Sequence, residues 1–484
     1  MSELANESMN TALSRANAEA RRTARESELI YSETLHTVLN PATEQPVVDV
    51  PMASARDVDA AVARAVDAFP AWRDLAPGDR ARLLRRLAQR IDEEREELAR
   101  LEVANSGHPI GGARWEAGNA RDLFDYYAGA PERLTGHQIP VPGGIDVTFK
   151  EPLGVVGVIA PWNFPMPIAA WGVAPALAAG NTVILKPAEQ TPLTAQYLAR
   201  LGREVGLPPD VFQVLPGTGP VAGARLVEHP DVAKIVFTGS TRVGREIAAK
   251  AARRIIPVTL ELGGKSANIV FEDSDLERAA ATAPDAVFDN AGQDCCARSR
   301  ILVQRSVYDR FMELLEPAVK AIRVGDPTRE ETSMGPLISA AQRERVRAYV
   351  PEDAPVAFRG DAPTGPGFWF PPTVLAPIEP DAPAATEEIF GPVVAVLPFE
   401  DEADAIRLAN ATRYGLSGSI WTRDIGRALR MSRAVQAGNL SVNSNSSVRY
   451  WTPFGGYKES GLGRELGPDA LDAFTETKNV FIAY

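Results

Sequence analysis

Apolar positions recur every three to four residues from about residue 57 to 101, which predicts two amphipathic helices over 58–69 and 79–101. Pro70 and the Pro77-Gly78 pair separate them. Beyond residue 150 the period shortens. VVGVIAP (155–161), TVILKP (182–187), FQVLP (212–216) and KIVFTGS (234–240) are brief, β-branched apolar runs. The stretches between them, 166–179, 194–205 and 221–228, keep helical spacing. Short strands buried on both faces and alternating with helices predict a parallel α/β sheet with crossover connections. A second alternation runs through ANIVF (267–271), ILV (301–303) and VVAVLPF (393–399), a second α/β unit. The final FTETKNVFIAY (474–484) reads as a strand without a sequence neighbour to pair with, for which a subunit interface is one partner.

The 484 residues call for two to three compact units, and 45% apolar with 24% charged residues is the composition of a globular chain. No apolar run reaches membrane-spanning length, so no membrane partner is expected. The first thirty residues, rich in Ala, Arg, Glu and Ser, lack a signal core and read as an extension without assigned function. A net charge of −12 with no basic stripe argues against a nucleic-acid partner. The two cysteines, Cys295 and Cys296, are adjacent, which suits neither a disulfide nor a zinc spacing, so no metal is expected. A large chain without crosslinks points to a reducing cytoplasm. None of the four histidines, His36, His108, His137 and His229, is near the cysteines in sequence.

Four segments carry candidate chemistry. KIVFTGSTRVGREIAAKAA (234–252) reads strand, turn, helix, and the helix start offers free N–H groups to a pyrophosphate. PGTGPVAG (216–223) departs from the dinucleotide glycine pattern, and two ordinary turns explain either glycine cluster alone. LKPAEQTP (185–192) puts Lys186 and Glu189 at the end of a strand, where open α/β sheets bind ligands. A solvated ion pair is the alternative. Glu261, in TLELGGKSANIVF (259–271), is a carboxylate in an apolar run, either a general base or a half-exposed strand end. Cys295 has polar flanks (NAGQDCCARSR, 290–300) unlike those of a structural thiol, yet Asp294 beside it raises rather than lowers a thiol pKa.

Together these segments resemble the aldehyde dehydrogenase family from about Asn40 to Tyr484. Seven motifs stand in the family's order: PWNFP (161–165), KPAEQTP (186–192), FTGSTRVG (237–244), ELGGK (261–265), GQDCCARSR (292–300), EEIFGPV (387–393) and PFGGYKESGLGRELG (453–467). The resemblance implies a Rossmann-like cofactor-binding domain (31–133 and 154–262), an α/β catalytic domain (263–466) and a small β oligomerisation arm (134–153 and 467–484). It implies NAD as cofactor, with NADP the alternative, and a homodimer or homotetramer. Cys295 matches the nucleophile, Asn163 the side chain that cradles the oxyanion with the Cys295 N–H, and Glu261 the base that activates the deacylating water. Lys186 and Glu189 match adenosine-ribose ligands, Ser240 a pyrophosphate ligand, and Glu388 and Phe390 nicotinamide-ribose contacts. Ile159, Trp162, Phe237, Gly239, Val243 and Leu262 fall along the same cofactor cleft.

The implied reaction forms a thiohemiacetal on Cys295, expels hydride to the cofactor and hydrolyses the resulting thioester. Trp171, Asp289 and Phe454 are the expected substrate contacts. Asp289, with Glu116 and Asn119, suggests an acidic mouth for a cationic or amide-bearing amino-aldehyde such as betaine aldehyde, aminobutyraldehyde or a polyamine-derived relative. A broad-specificity enzyme is the alternative. An NAD-independent thiol hydrolase or acyltransferase leaves Lys186, Glu189 and Glu388 without purpose, and a non-catalytic structural relative would be expected to lose Cys295, Glu261 or Asn163. Two features depart from the family: first strands are hard to discern before Asn40, and Gly107-His108 stands where Gly-Lys is common.

Overall fold

The computed structural model describes residues 33–446 and 448–484. The extension at 1–30 lies outside the described residues.

Chain order and spatial order together locate the cofactor-binding end. In the six-stranded sheet the strands run Gly461–Leu462, Val258–Glu261, Val232–Thr238, Val155–Ile159, Thr182–Lys186 and Phe212–Val214. All pair in parallel except Gly461–Leu462, which lies antiparallel against Glu261 and Leu260. The chain enters at Val155–Ile159, builds outward to one side, then returns to build the other. The connections therefore diverge between Val155–Ile159 and Val232–Thr238, and a crevice opens outside the carboxyl ends of those two strands. The loops leaving them are 160–164 and 239–240.

The seven-stranded sheet runs Val356–Arg359, Thr373–Leu375, Val393–Phe399, Arg300–Gln304, Ala267–Val270, Ser417–Trp421 and Asn439–Val442, parallel but for its first strand. Loop 262–266 joins the exit of the first sheet to the entrance of the second, and loop 289–299 enters the second sheet at the same end. Carboxyl ends of one sheet thus face amino ends of the other, with Cys295 and Glu261 at the seam. Helix Pro165–Ala179 is buried along its whole length, which its uniformly apolar sequence requires.

Several expectations need correction. The terminal strand Thr475–Ala483 is not unpaired: it runs antiparallel to Gly144–Pro152 of the same chain in unbroken register, and Gln138–Val141 completes a three-stranded sheet. An early hairpin does exist, Leu35–Leu39 against Pro46–Pro51, with its first strand ending just before Asn40. Run 79–101 divides into helices Pro77–Glu93 and Arg95–Ser106 because Glu94 (φ −97°, ψ 12°) leaves the helical region. Helix Ala55–Arg73 runs on through Pro70. The two-residue strand Gly461–Leu462, expected in the catalytic unit, joins the edge of the first sheet, because Leu262 N–H donates to Ser460 O at 2.9 Å and anchors the segment over Glu261.

Candidate active site

The segment before Cys295 is shaped by strain that its neighbours hold in place. Helix Leu276–Phe288 ends at Asp289, after which Asn290 (φ 49°) and Ala291 (φ 53°) both adopt left-handed backbone and Gly292 follows at φ 68°. Such conformations cost a non-glycine residue about 1–2 kcal/mol. Asn290 Nδ2 offsets this by donating to Asn163 O at 2.6 Å, and Ile338 N–H donates to Gln293 Oε1 at 2.9 Å. A Cβ at Gly292 would collide with the Gly391 carbonyl, so the turn presses on the loop carrying Phe390, itself at φ 57°. Loop 160–164, the cysteine turn and loop 388–391 are thereby locked together.

Cys295 is half-buried and lies on the walls of two cavities, the one residue they share. The larger, about 450 Å³, is a funnel walled by Trp115, Phe164, Trp171, Asp289 and Asp294 among others. The smaller, about 160 Å³, is bounded by Trp162, Asn163, Gly239, Ser240, Glu261, Leu262, Glu388 and Phe390. Asn163 is buried and gives one amide hydrogen to Gln293 O at 3.0 Å. Glu261 is 2% exposed and neither carboxylate oxygen has a hydrogen-bond partner. Burial, then the neighbouring Glu465 carboxyl, push its pKa well above the usual carboxylate range. The Cys295 thiol is also pushed up, first by its hydrogen bond with Cys296, then by burial and by the Asp294 and Glu388 charges. Asp294 Oδ1 accepts from Cys296 N–H at 2.9 Å, so the unhelpful aspartate braces the loop backbone.

The smaller cavity fits the nicotinamide half of a dinucleotide. Trp162 and Phe390 meet edge to face at 5.2 Å as its aromatic walls, and Glu388 Oε1 is fixed by the Gly264 N–H at 3.0 Å. A Cβ at Gly263 would strike the other Glu388 oxygen, so the glycine leaves that carboxylate its place. Ser240 caps helix Thr241–Arg254, Oγ accepting from Val243 N–H, and the helix start faces the crevice with its dipole positive. Gly239 precedes it, and Val243 stands in the first turn, half-buried. Further along the sheet end, buried Lys186 donates to Gly217 O at 3.0 Å, and its pKa is lowered to about 8 by burial despite Glu189. Glu189 is half-exposed in the following loop, while Ile159 and Phe237 are buried at strand ends and support the crevice floor.

The model of the aldehyde dehydrogenase family matches residues 30–480. The chain belongs to that family. Members are oxidoreductases acting on aldehydes and the family uses NAD(P), which sets aside the hydrolase and structural-protein alternatives. An aldehyde dehydrogenase of Emericella nidulans is 43% identical over 92% of this chain and 90% of its own length. The phenylacetaldehyde dehydrogenase of Pseudomonas fluorescens is 42% identical over 94% of this chain and 93% of its own. The crystal structure of betaine aldehyde dehydrogenase from Staphylococcus aureus in complex with NAD⁺ superposes with a TM-score of 0.90 at 36% identity, covering 93% of this chain and 92% of that one.

The funnel only partly follows the sequence reading. Trp171 is on its wall, but Phe454 is 1% exposed and stacks edge to face behind Trp171 at 5.0 Å, off the surface. Asn119 is likewise absent from the wall. Glu116 is on the wall but buried and engaged by His108, and burial with the Asp289 charge raises its pKa well above the ordinary range, so it favours the neutral form. Asp289 keeps accessible surface yet sits in a concave site crowded by protein. That crowding first, then the Asp294 charge, raise it to about 6. Asp285 adds an exposed carboxylate. Sequence reasoning missed His108 and Arg298 as funnel residues. His108 had a signal, as it replaces the family's lysine; Arg298 had none that separated it from Arg300 two residues on. Arg298 directs its guanidinium to Ser419 Oγ at 3.0 Å and to the carbonyls of Cys296 and Asn445.

Proposed function

We propose that this chain uses NAD to oxidise an amine-bearing aldehyde to its carboxylic acid through a thioester on Cys295. The observation that carries the reaction is the position of Cys295 on both cavity walls, one holding carboxylates and aromatics suited to a substrate and the other suited to a nicotinamide. Cys295 Sγ attacks the carbonyl carbon. The oxygen, becoming negative, is held by the second Asn163 amide hydrogen and the Cys295 backbone N–H. When bound, NAD supplies the acceptor that takes hydride from the tetrahedral carbon, leaving a thioester, and brings a positive ring that offsets the carboxylates raising the thiol pKa. Glu261 then takes a proton from water as the water adds to the thioester, and the acid leaves with Cys295 restored as thiolate. A raised carboxylate pKa makes Glu261 a stronger base near neutrality.

Asp289 and Asp285 supply negative charge at the funnel mouth, and Trp115, Phe164 and Trp171 supply faces for an ammonium or its alkyl chain. Glu189, at the expected adenosine ribose, disfavours a 2′-phosphate and supports NAD over NADP. The three-stranded sheet exposes Ile145, Phe149, Phe481 and Ile482, which supports its use as the contact of a homodimer or homotetramer.

NADH absorbance with aminobutyraldehyde and butyraldehyde tests the reading. We expect a higher kcat/KM for the amine, loss of turnover in Cys295→Ala and loss of the preference in Asp289→Ala. Equal rates on both aldehydes, or a preference that survives Asp289→Ala, overturn the substrate assignment. No NADH from a broad aldehyde panel overturns the reaction.

A further inference from the structure

The reaction above gives no task to the His108–Glu116 pair, two polar side chains buried in the funnel wall. His108 Nδ1 contacts Glu116 Oε1 directly, and the residues are 4% and 1% exposed. With Nδ1 occupied, Nε2 is the nitrogen left for the backbone carbonyl of Asn163, with which the ring also hydrogen-bonds. The same carbonyl accepts from Asn290 Nδ2 at 2.6 Å. A carbonyl oxygen has two lone pairs, so both are engaged and the peptide plane between Asn163 and Phe164 is fixed. The neighbouring Phe164 ring packs against the imidazole at 5.6 Å and against Trp115 at 6.5 Å, which pins the imidazole from the side.

We infer that Glu116 and His108 form a positioning pair that grips the Asn163 backbone and thereby aims the Asn163 amide at the reacting carbonyl oxygen; this rests on the oxyanion role proposed for Asn163. One Asn163 amide hydrogen is already taken by Gln293 O. The direction of the other therefore follows from where the backbone is held. Loss of either grip lets the 163–164 peptide rotate and swings that hydrogen away from the developing charge.

Glu116 sets the tautomer. Whether the shared proton sits on the carboxyl or on Nδ1, Nε2 keeps its hydrogen and remains a donor to Asn163 O. The charged groups facing the pair are Asp289 across the funnel and Glu102 behind it. Glu102 is itself held by Thr194 Oγ1 at 2.7 Å and Asn105 Nδ2 at 3.1 Å. The pair is thus wedged between fixed neighbours, as a positioning element must be.

The test is the rate of the first-turnover NADH burst in His108→Ala, His108→Gln, Glu116→Leu and Asn163→Ala, with NAD affinity from NADH fluorescence titration and Cys295 reactivity toward iodoacetamide. We expect the burst to slow about tenfold or more in His108→Ala and Glu116→Leu while NAD affinity and thiol alkylation stay within twofold of wild type. His108→Gln, which can still donate to the Asn163 carbonyl, should recover most of the loss. A wild-type burst in His108→Ala or Glu116→Leu beside a slow one in Asn163→Ala overturns the positioning role and leaves the oxyanion reading standing. A wild-type burst in Asn163→Ala overturns both. Parallel losses of burst, NAD affinity and alkylation mark general disruption and also overturn the inference. If His108→Ala does not fold, Glu116→Leu and His108→Gln decide by the same readings.

Discussion

Gly263 and Gly264 are neighbours, yet the structure predicts different defects when each gains a methyl group. A Cβ on Gly264 falls roughly half an ångström inside the 3.0 Å approach that real Cβ atoms respect, and the atom it meets is the backbone carbonyl of Cys295. That carbonyl cannot rotate away, because the preceding turn is locked to Asn163 and Ile338. The nucleophile itself must move by about the overlap or more. A displacement of about 1 Å costs on the order of 10²-fold in rate, so we expect Gly264→Ala to slow the NADH burst about 10- to 100-fold. Overpacking costs about 1–3 kcal/mol of stability, so the variant should fold. On Gly263 the methyl meets the far end of the Glu388 side chain, which can swing away. Gly263→Ala should therefore raise the KM for NAD and leave the burst at saturating NAD within about threefold of wild type. Stopped-flow NADH fluorescence with a saturating aldehyde reads both. A wild-type burst in Gly264→Ala, or the same defect in both variants, refutes the idea that this loop sets the position of Cys295.

Glu261→Gln should keep a burst of about one NADH per active site while steady-state turnover falls about 10²- to 10⁴-fold, measured by comparing burst amplitude with the linear phase. Asp289→Asn should remove a rise in kcat/KM for aminobutyraldehyde that wild type shows as pH climbs through about 6, the value to which burial raises this carboxyl, and should leave butyraldehyde unaffected. Burial holds Glu465 at about 8, above its unfolded range, so the proton it carries stabilises the fold most at acid pH and that contribution is lost as pH rises through 8. Thermal melts of Glu465→Gln should accordingly show a Tm advantage over wild type that grows from pH 5 to pH 9.

The fold and the chemistry were legible at different depths. The parallel strands announced themselves because each is a short β-branched run buried on both faces, as Val155–Ile159 and Thr182–Lys186 show. Cys295, Glu261 and Asn163 were legible as family motifs, but nothing in their spacing revealed that Cys295 stands on two cavities. That follows from carboxyl ends of one sheet meeting amino ends of the other. The funnel was least legible. Phe454 and Glu116 were placed by position in a motif, whereas burial decides what they do: Phe454 backs Trp171, and Glu116 turns to His108. The pairing of the terminal strand depends on residues more than 300 positions upstream, a separation that local periodicity does not encode.

The short strand Gly461–Leu462 has a consequence for the life of the chain before it is complete. Synthesis produces Glu261 and Cys295 long before residues 453–467, which close over the base: Gly461 pairs with Glu261, Ser460 Oγ donates to Gly263 O at 2.6 Å, and Gly455 abuts the Glu261 carboxylate. Until that segment leaves the ribosome, Glu261 has neither the seclusion nor the Glu465 neighbour that raise its pKa. The nascent chain therefore carries a thiol and a carboxylate but not the tuned base, and the last twentieth of translation is what turns the assembled halves into a catalyst.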